Sequence, residues 1–251
     1  MTATSIGSYE FGYVDNVSGQ ENNNFLGDDV KVDSNAADTR IGILRFIIPT
    51  REDIDLYNIE GEKIGRLVPL TIKHLEDDYI IENLTKWRNE NMTSFLTQFI
   101  ATSERTRKWL TQIVFKSRNQ LIFLIYDNDR VIGHFGFKEL NNSNVMLDNA
   151  MRGERGGHPK LLVYAGKALV NWLFKNTNVK IIYGYIMSKN ATAIMMSREI
   201  GFKGWSKYPL NKFATENEVI YKIGQEGELS KESLYCYKIE IVKEQRQENP
   251  E

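Results

Sequence analysis

The segment Arg152-Gly153-Glu154-Arg155-Gly156-Gly157-His158-Pro159 sets three glycines and two arginines directly ahead of an amphipathic stretch. Glycine lets backbone N–H groups converge, a helix N-terminus adds the positive end of its dipole, and arginine adds charge. The combination suits a phosphate. A loop with three glycines is also simply a turn, and neither a G-x-G-x-x-G fingerprint nor a G-x-x-x-x-G-K-[ST] loop is present. A second unit, Ser188 to Phe202, enters a helical pattern through Asn190 and leaves it at Gly201. Asn is a good N-cap, and Gly accepts the left-handed conformation that ends helices. Cys236 is the only cysteine and has no paired His to activate it, so it reads as an inert packed thiol.

These groups need elements to hold them. Asp77–Arg88 puts Ile80, Ile81, Leu84 and Trp87 at helical spacing, and a second helix is expected from about Ser103 to Phe115, capped by Thr102, Ser103 and Glu104. Leu121–Tyr126 reads as a buried strand. Asp127-Asn128-Asp129 is turn chemistry, and Arg130–Leu140 returns as the other arm of a hairpin. Asn144–Ala150 is a further strand. From Pro159, which suits a first helical turn, to about Lys175, residues Leu161, Leu162, Ala165, Ala168, Leu169, Trp172 and Leu173 mark one apolar face. Gly166 inside that helix costs about 1 kcal/mol relative to Ala and would allow close approach of sheet or cofactor. Lys180–Met187 is a strong buried strand, and two more strands are expected near 216–223 and 233–242. Upstream, short strands fit Ile41–Ile48, Ile54–Ile59 and Lys63–Val68. Residues 1–40 are rich in Asn, Asp, Ser and Gly and read as a mobile or loosely packed extension, with at most a strand near Tyr9–Val14. Hairpin-linked strands mixed with helices favour an α+β mixed sheet over a doubly wound one.

The 251 residues carry a net charge of −1, which argues against a general nucleic-acid surface. The distribution is uneven: residues 151–212 carry +9 and both ends are acidic. That window is either a solvated helix face or a focused anion site. No apolar run approaches transmembrane length, the N-terminus has no signal-peptide pattern, and a single Cys permits neither an internal disulfide nor a zinc cluster. A cytoplasmic protein without a metal is expected.

The order of strand, glycine loop, helix, strand and Asn-initiated helix ending in Gly201-Phe202 resembles the GNAT superfamily of acetyl-CoA-dependent N-acetyltransferases. The likeness is greatest to the branch of ribosomal-protein and amino-sugar acetyltransferases. It rests on Asn190-x-x-Ala193-Ile194 running to Gly201-Phe202, on the loop at 152–157, on Trp87-Arg88-Asn89, on a helix carrying Trp109 and on Val131-Ile132-Gly133. It spans about residues 70–205. Two departures stand out: Arg155 falls where the first loop glycine is expected, and Ser197 replaces the tyrosine that often reprotonates the departing thiolate.

The resemblance implies a fold with two parted central parallel strands, here 144–150 and 180–187, between which pantetheine inserts. It implies acetyl-CoA contacts at Asn149, Ala150 and Met151, whose exposed backbone would pair with pantetheine amides and supply an N–H to the oxyanion. Phosphate contacts would come from Arg152, Gly153, Arg155, Gly156, Gly157 and His158, and a further contact from Asn190. Asp148 is the first candidate to take the amine's proton and Glu139 the second, with the general acid open at Ser197. Trp87 and Arg88 end a helix near where the family places its acceptor, and His134, on the 130–140 strand, is a candidate substrate contact with an intrinsic pKa suited to a general base. Trp87 also reads as core by its spacing and His134 as a structural strand histidine, Arg88 could pair with an anion of the acceptor, and His158 could cap its helix rather than touch a phosphate. Tyr183 and Tyr185 share a strand face that lines the cleft or packs.

The expectation is an N-terminal extension over 1–68 followed by an acetyltransferase domain over 69–251. The acceptor would be a primary amine of a small molecule, an amino sugar or sugar nucleotide first. Acetylation of a protein N-terminus and a catalytically silent CoA-binding module are the alternatives. Neither a membrane nor a nucleic acid is expected as partner, and a homodimer is possible.

Overall fold

The computed structural model describes residues 52–244, so the strands expected at Tyr9–Val14 and Ile41–Ile48 lie outside the described residues. In chain order the elements are β1 (Ile54–Tyr57), β2 (Lys63–Pro69), α1 (Asp78–Glu90), β3 (Thr97–Phe99), α2 (Ser103–Trp109), β4 (Leu121–Asp127), β5 (Arg130–Lys138) and β6 (Asn144–Arg152). There follow α3 (Leu161–Asn176), β7 (Ile181–Met187), α4 (Ala191–Ile200), β8 (Gly204–Ala214), β9 (Glu218–Ile223) and β10 (Tyr235–Val242). The strands form a sheet of order β1-β2-β4-β5-β6-β7-β10-β8-β9-β3. Every pairing is antiparallel except β6 with β7. This is the expected α+β mixed sheet.

Strand periodicity sorts the core into two layers. In β4, Ile122 and Leu124 face α1 and join Leu70, Ile81, Leu84, Trp87 and Leu110. Phe123 and Ile125 face α3 and α4 with Leu161, Ala165, Leu169 and Ile200. Each such fully buried side chain contributes roughly 1.5–3 kcal/mol of transfer free energy. At Gly166 a Cβ would collide with Ile200 and crowd Phe135, so this glycine sets the close packing of α3 on α4 and the sheet.

Several boundaries differ from the sequence reading. Residues 63–69, assigned there largely to an extension, are paired into the main sheet, with Arg66–Pro69 opposite Phe123–Tyr126. The second helix is not uniform: α2 ends at Trp109 and a wider turn follows over Leu110–Val114, closed by Phe115 N–H donating to Leu110 O. Pro159 lies before α3 and not in it, because the His158 carbonyl accepts Leu161 N–H and its ring accepts Lys160 N–H in a tight turn. The sequence reading missed β3 and β8. Pro209 disguises β8, yet it stands where the strand leaves β10 and joins β9, a point at which a missing N–H is tolerated.

Candidate active site

β6 and β7 pair only at Asn144–Ile181, Val145–Ile182 and Met146–Tyr183. Beyond that, β6 runs on to Arg152 and β7 to Met187 without pairing to each other. The cause is visible in β6. His134 of β5 faces Met151 and Gly136 faces Asp148, so Asn149 and Ala150 together oppose one β5 residue. This is a β-bulge with Asn149 at φ +54°, and a bulge bends its strand and sharpens the twist. The gap leaves β6 unpaired with β7 beyond Met146, an edge of the kind to which an extended, amide-bearing chain adds as a strand adds to a sheet; contrary to the sequence expectation that edge is not exposed, since Asp148, Asn149, Ala150 and Met151 are all buried.

At the end of β6 the glycine loop packs back on the β4–β5 hairpin, with Gly156 beside Arg130 and Gly157 beside Asp127. Gly153 and Glu154 N–H both donate to Ile132 O, which ties the loop's start to β5. Gly156 and Gly157 adopt φ +109° and +64°, a conformation cheap for glycine. Among the described residues, the amides of Arg155, Gly156, Gly157 and His158 make no hydrogen bond. Four consecutive free N–H groups before a helix fit an anionic phosphate. The Arg152 guanidinium is turned inward. It donates to the carbonyls of His158 (3.0 Å), Pro159 (3.1 Å) and Gly156. Arg152 therefore holds the loop's carbonyls on one side rather than presenting its charge to a ligand. Asn190 caps α4, accepting Ala193 N–H at 3.0 Å.

Asp148 lies beside the bulge and is 2% exposed. One carboxylate oxygen accepts from Lys138 Nζ (3.3 Å) and Asn149 Nδ2 (3.0 Å), and the other has no hydrogen-bond partner. Burial pushes this carboxyl up to about 6, with the Lys138 charge opposing. Glu139 sits at the end of β5 at φ +58° and accepts from the Tyr183 hydroxyl. His134 is buried and directs Nδ1 at Asn149 O (2.7 Å). Burial pushes it down to about 4; the Asn149 carbonyl opposes, and the Arg88 charge adds to the fall. Ser197 is fully buried within α4, with its hydroxyl unpartnered.

The Trp87-Arg88-Asn89 run builds the far wall. Trp87 is 0% exposed, so it is not presented to an acceptor. Its ring packs on Gly153, where a Cβ would collide with it, and stacks on His134 with centroids 6.1 Å apart. Its Nε1–H donates to Glu154 at 3.0 Å. Arg88 lies over the Phe95 and Phe99 rings (3.8 and 4.7 Å) and donates to Thr97 O at 2.7 Å, supporting β3. Burial brings its pKa down to about 9, against the attraction of Asp148. Asn89 exchanges two hydrogen bonds with the backbone of Ala101. A narrow hollow remains, lined by Leu84, Arg88, Trp109, His134, Asn149 and Met151.

Sequence reasoning missed Lys138 as the partner of Asp148. The hairpin around Asn141-Asn142-Ser143 pairs Lys138 with Met146, two residues from Asp148; that register was the available signal. It also missed Tyr208, whose ring meets Tyr185 at 6.3 Å, as Tyr185 meets Tyr183 at 6.1 Å. Together the three form an aromatic row beside the gap.

Among the described residues no helix is long and apolar enough to cross a membrane. No curated protein matches the sequence. The fold is shared with a probable GNAT-family acetyltransferase of Chromobacterium violaceum (12% identity, 72% of this chain and 88% of that one, TM-score 0.51). It is shared also with the acetyltransferase of Salmonella typhimurium that modifies the N-terminal serine of ribosomal protein L7/L12 (11%, 77% and 100%, TM-score 0.52). A third is the spermidine N-acetyltransferase of Vibrio cholerae (14%, 71% and 95%, TM-score 0.50). At such identities the likeness is one of fold. The profile described as Acetyltransferase (GNAT) domain matches residues 76–218, more than half of the sequence and all of the parted-strand region, and the chain belongs to the GNAT family of acetyl-CoA-dependent N-acetyltransferases.

Proposed function

We infer that the enzyme transfers the acetyl group of acetyl-CoA to a primary amine of a small molecule, with an amino sugar, free or nucleotide-linked, as the first acceptor class. The observation that carries the catalytic part is Asp148. It is a buried carboxylate with one uncommitted oxygen, one residue from the bulge where a thioester would lie. The acceptor class is supported by the row Tyr183, Tyr185 and Tyr208 beside the gap. Its outer hydroxyls engage Glu139 and Glu226. Such rings stack on the apolar face of a sugar, and carboxylates accept from its hydroxyls. The relatives of this fold act on spermidine in one case and on a protein N-terminus in another, so the fold itself leaves the acceptor open.

Bound acetyl-CoA supplies an activated acyl carbon and a thiolate leaving group. The chain's own residues do the rest. The free amides of 155–158 would hold the diphosphate, and the unpaired edge of β6 would pair with the pantetheine amides. An N–H at the bulge would polarise the thioester carbonyl and stabilise charge developing on its oxygen. An ammonium has no lone pair, so the acceptor must first lose a proton, and the uncommitted oxygen of Asp148 takes it. Ser197, enclosed in α4, belongs to the core in this reading, and solvent protonates the thiolate.

The test has two stages. Acetyl-CoA at about 100 times its dissociation constant should add roughly 2.7 kcal/mol of stability and raise Tm accordingly; no shift at millimolar acetyl-CoA would sink the reading. A screen of amino sugars, polyamines and peptides, monitored by free CoA release, should give the highest kcat/KM for amino sugars. Faster turnover of peptides would transfer the activity to protein N-termini, and hydrolysis without any acceptor would favour a CoA-binding module.

A further inference from the structure

We propose that His134 is a positioning residue for acyl transfer: through its Nδ1–H it fixes the peptide plane between Asn149 and Ala150, and so aims the Ala150 N–H at the thioester oxygen. The inference deepens the acetyltransferase reading and rests on it.

The argument starts with the strain at the bulge. Asn149 is a non-glycine residue at φ +54°, a conformation that persists only where its surroundings over-determine it. Two contacts hold it. The side-chain amide donates to Asp148 at 3.0 Å, and the carbonyl meets His134 Nδ1 at 2.7 Å. A carbonyl oxygen only accepts, so the proton of that second bond resides on Nδ1. Burial keeps the ring neutral near pH 7, with its pKa down at about 4. The neutral ring has one N–H, so the Asn149 carbonyl selects the tautomer and leaves Nε2 unprotonated.

The peptide bond then transmits the direction. In a trans peptide the C=O and the following N–H point in opposite senses, and the structure has no cis peptide among the described residues. The Ala150 N–H therefore points away from the Asn149 oxygen and from the imidazole that holds it, and in the proposed geometry the thioester oxygen lies on that side. A backbone N–H held in one direction beside the parting of β6 from β7 is the kind of donor that polarises an acyl carbonyl. The imidazole is itself held. It stacks on Trp87, and Trp87 is pinned by Glu154 and by contact with Gly153. One chain of contacts thus links the phosphate loop to the bulge.

The test compares three proteins with the full chain intact. His134→Asn keeps an N–H at the Nδ1 position; His134→Leu removes it. Expected for His134→Leu is a fall in kcat of about 10²-fold, the lower end of what losing an oxyanion donor costs, with CoA affinity unchanged. His134→Asn should recover most of that rate. A His134→Leu enzyme with wild-type kcat overturns the proposal, as does a His134→Asn enzyme no faster than His134→Leu while both bind CoA. Loss of CoA binding by the wild-type protein would instead count against the acetyltransferase reading itself. Nitrogen-15 NMR of the wild-type imidazole at pH 7 needs neither turnover nor a variant that folds. It should show a protonated Nδ1 and a bare Nε2, and an Nε2-protonated ring or an imidazolium also overturns the proposal.

Discussion

Replacing Asp148 by Asn tests the catalytic reading and the structure together. The carboxyl is pushed by burial from the ordinary 3.8 up to about 6, against the Lys138 charge, which corresponds to ~3 kcal/mol in favour of the neutral acid. A raised folded-state pKa means that the group stabilises the folded protein fully below the unfolded value. That contribution is withdrawn as the pH climbs through about 6. Asn does not titrate, so the stability of Asp148→Asn relative to wild type should rise from pH 4 to pH 7, by up to ~3 kcal/mol. Denaturant unfolding at several pH values reads this directly. Activity should move the other way. With its pKa raised to about 6 the carboxyl is largely ionised at pH 7, so wild-type kcat/KM should climb through about pH 6 and level off. The variant should lose that limb, and kcat should fall by about 10²–10⁴-fold, the usual worth of a general base. The acceptor's own ammonium titrates identically in both proteins, so the difference between the two profiles isolates Asp148. An unchanged limb near pH 6 in the variant, or turnover within a few-fold of wild type, would refute the assignment of the base.

Other outcomes follow from the same geometry. Ser197→Ala removes a buried hydroxyl with no partner, so stability should hold or rise by about 1 kcal/mol with activity retained; a tenfold loss of kcat would restore Ser197 as the proton donor. Gly153→Ala forces a Cβ into the Trp87 ring and should cost about 1–3 kcal/mol as an overpacked site, measured by urea unfolding. If its midpoint stays at the wild-type value, the packing of the loop on Trp87 is wrong. Arg152→Gln should weaken CoA binding several-fold in calorimetry. Because Arg152 acts by holding carbonyls, the loss should be only weakly salt-dependent, unlike that of a direct phosphate contact; a steep salt dependence would contradict the inward-turned guanidinium.

What the sequence made legible were features whose physics is local. Asn190 caps its helix and Gly201, at φ +120°, ends it, because capping needs only a few neighbouring residues. The hairpin at Asp127–Arg130 and the two strands that part were readable from period and turn chemistry. β8 was not, since its pairing partners lie before Gly224 and after Ser233, and no local rule reveals that Pro209 sits at a change of partner. Trp87 illustrates the same limit. Its helical spacing allowed a core position beside the acceptor contact expected of it, and burial decides for the core; that it props both the loop and His134 depends on three separate elements meeting.

Charge was the least direct guide. The +9 over residues 151–212 suggested that arginine and lysine side chains would make an anion site. In the folded chain much of that charge is spent elsewhere. Arg152 faces backbone carbonyls, Lys160 pairs with Glu199 at 2.6 Å, and Lys203 lies 3.7 Å from Glu244. The feature that fits a phosphate is the set of uncommitted amides at 155–158, and these carry no formal charge at all. Arg152 connects the two descriptions: it gathers the carbonyls of Gly156, His158 and Pro159 and leaves the loop's amides uncommitted. In the proposed site, the arginine counted toward an anion site from composition would act by steering the backbone. A sequence therefore locates such a site more surely through its glycines, which permit the turn, than through its net charge.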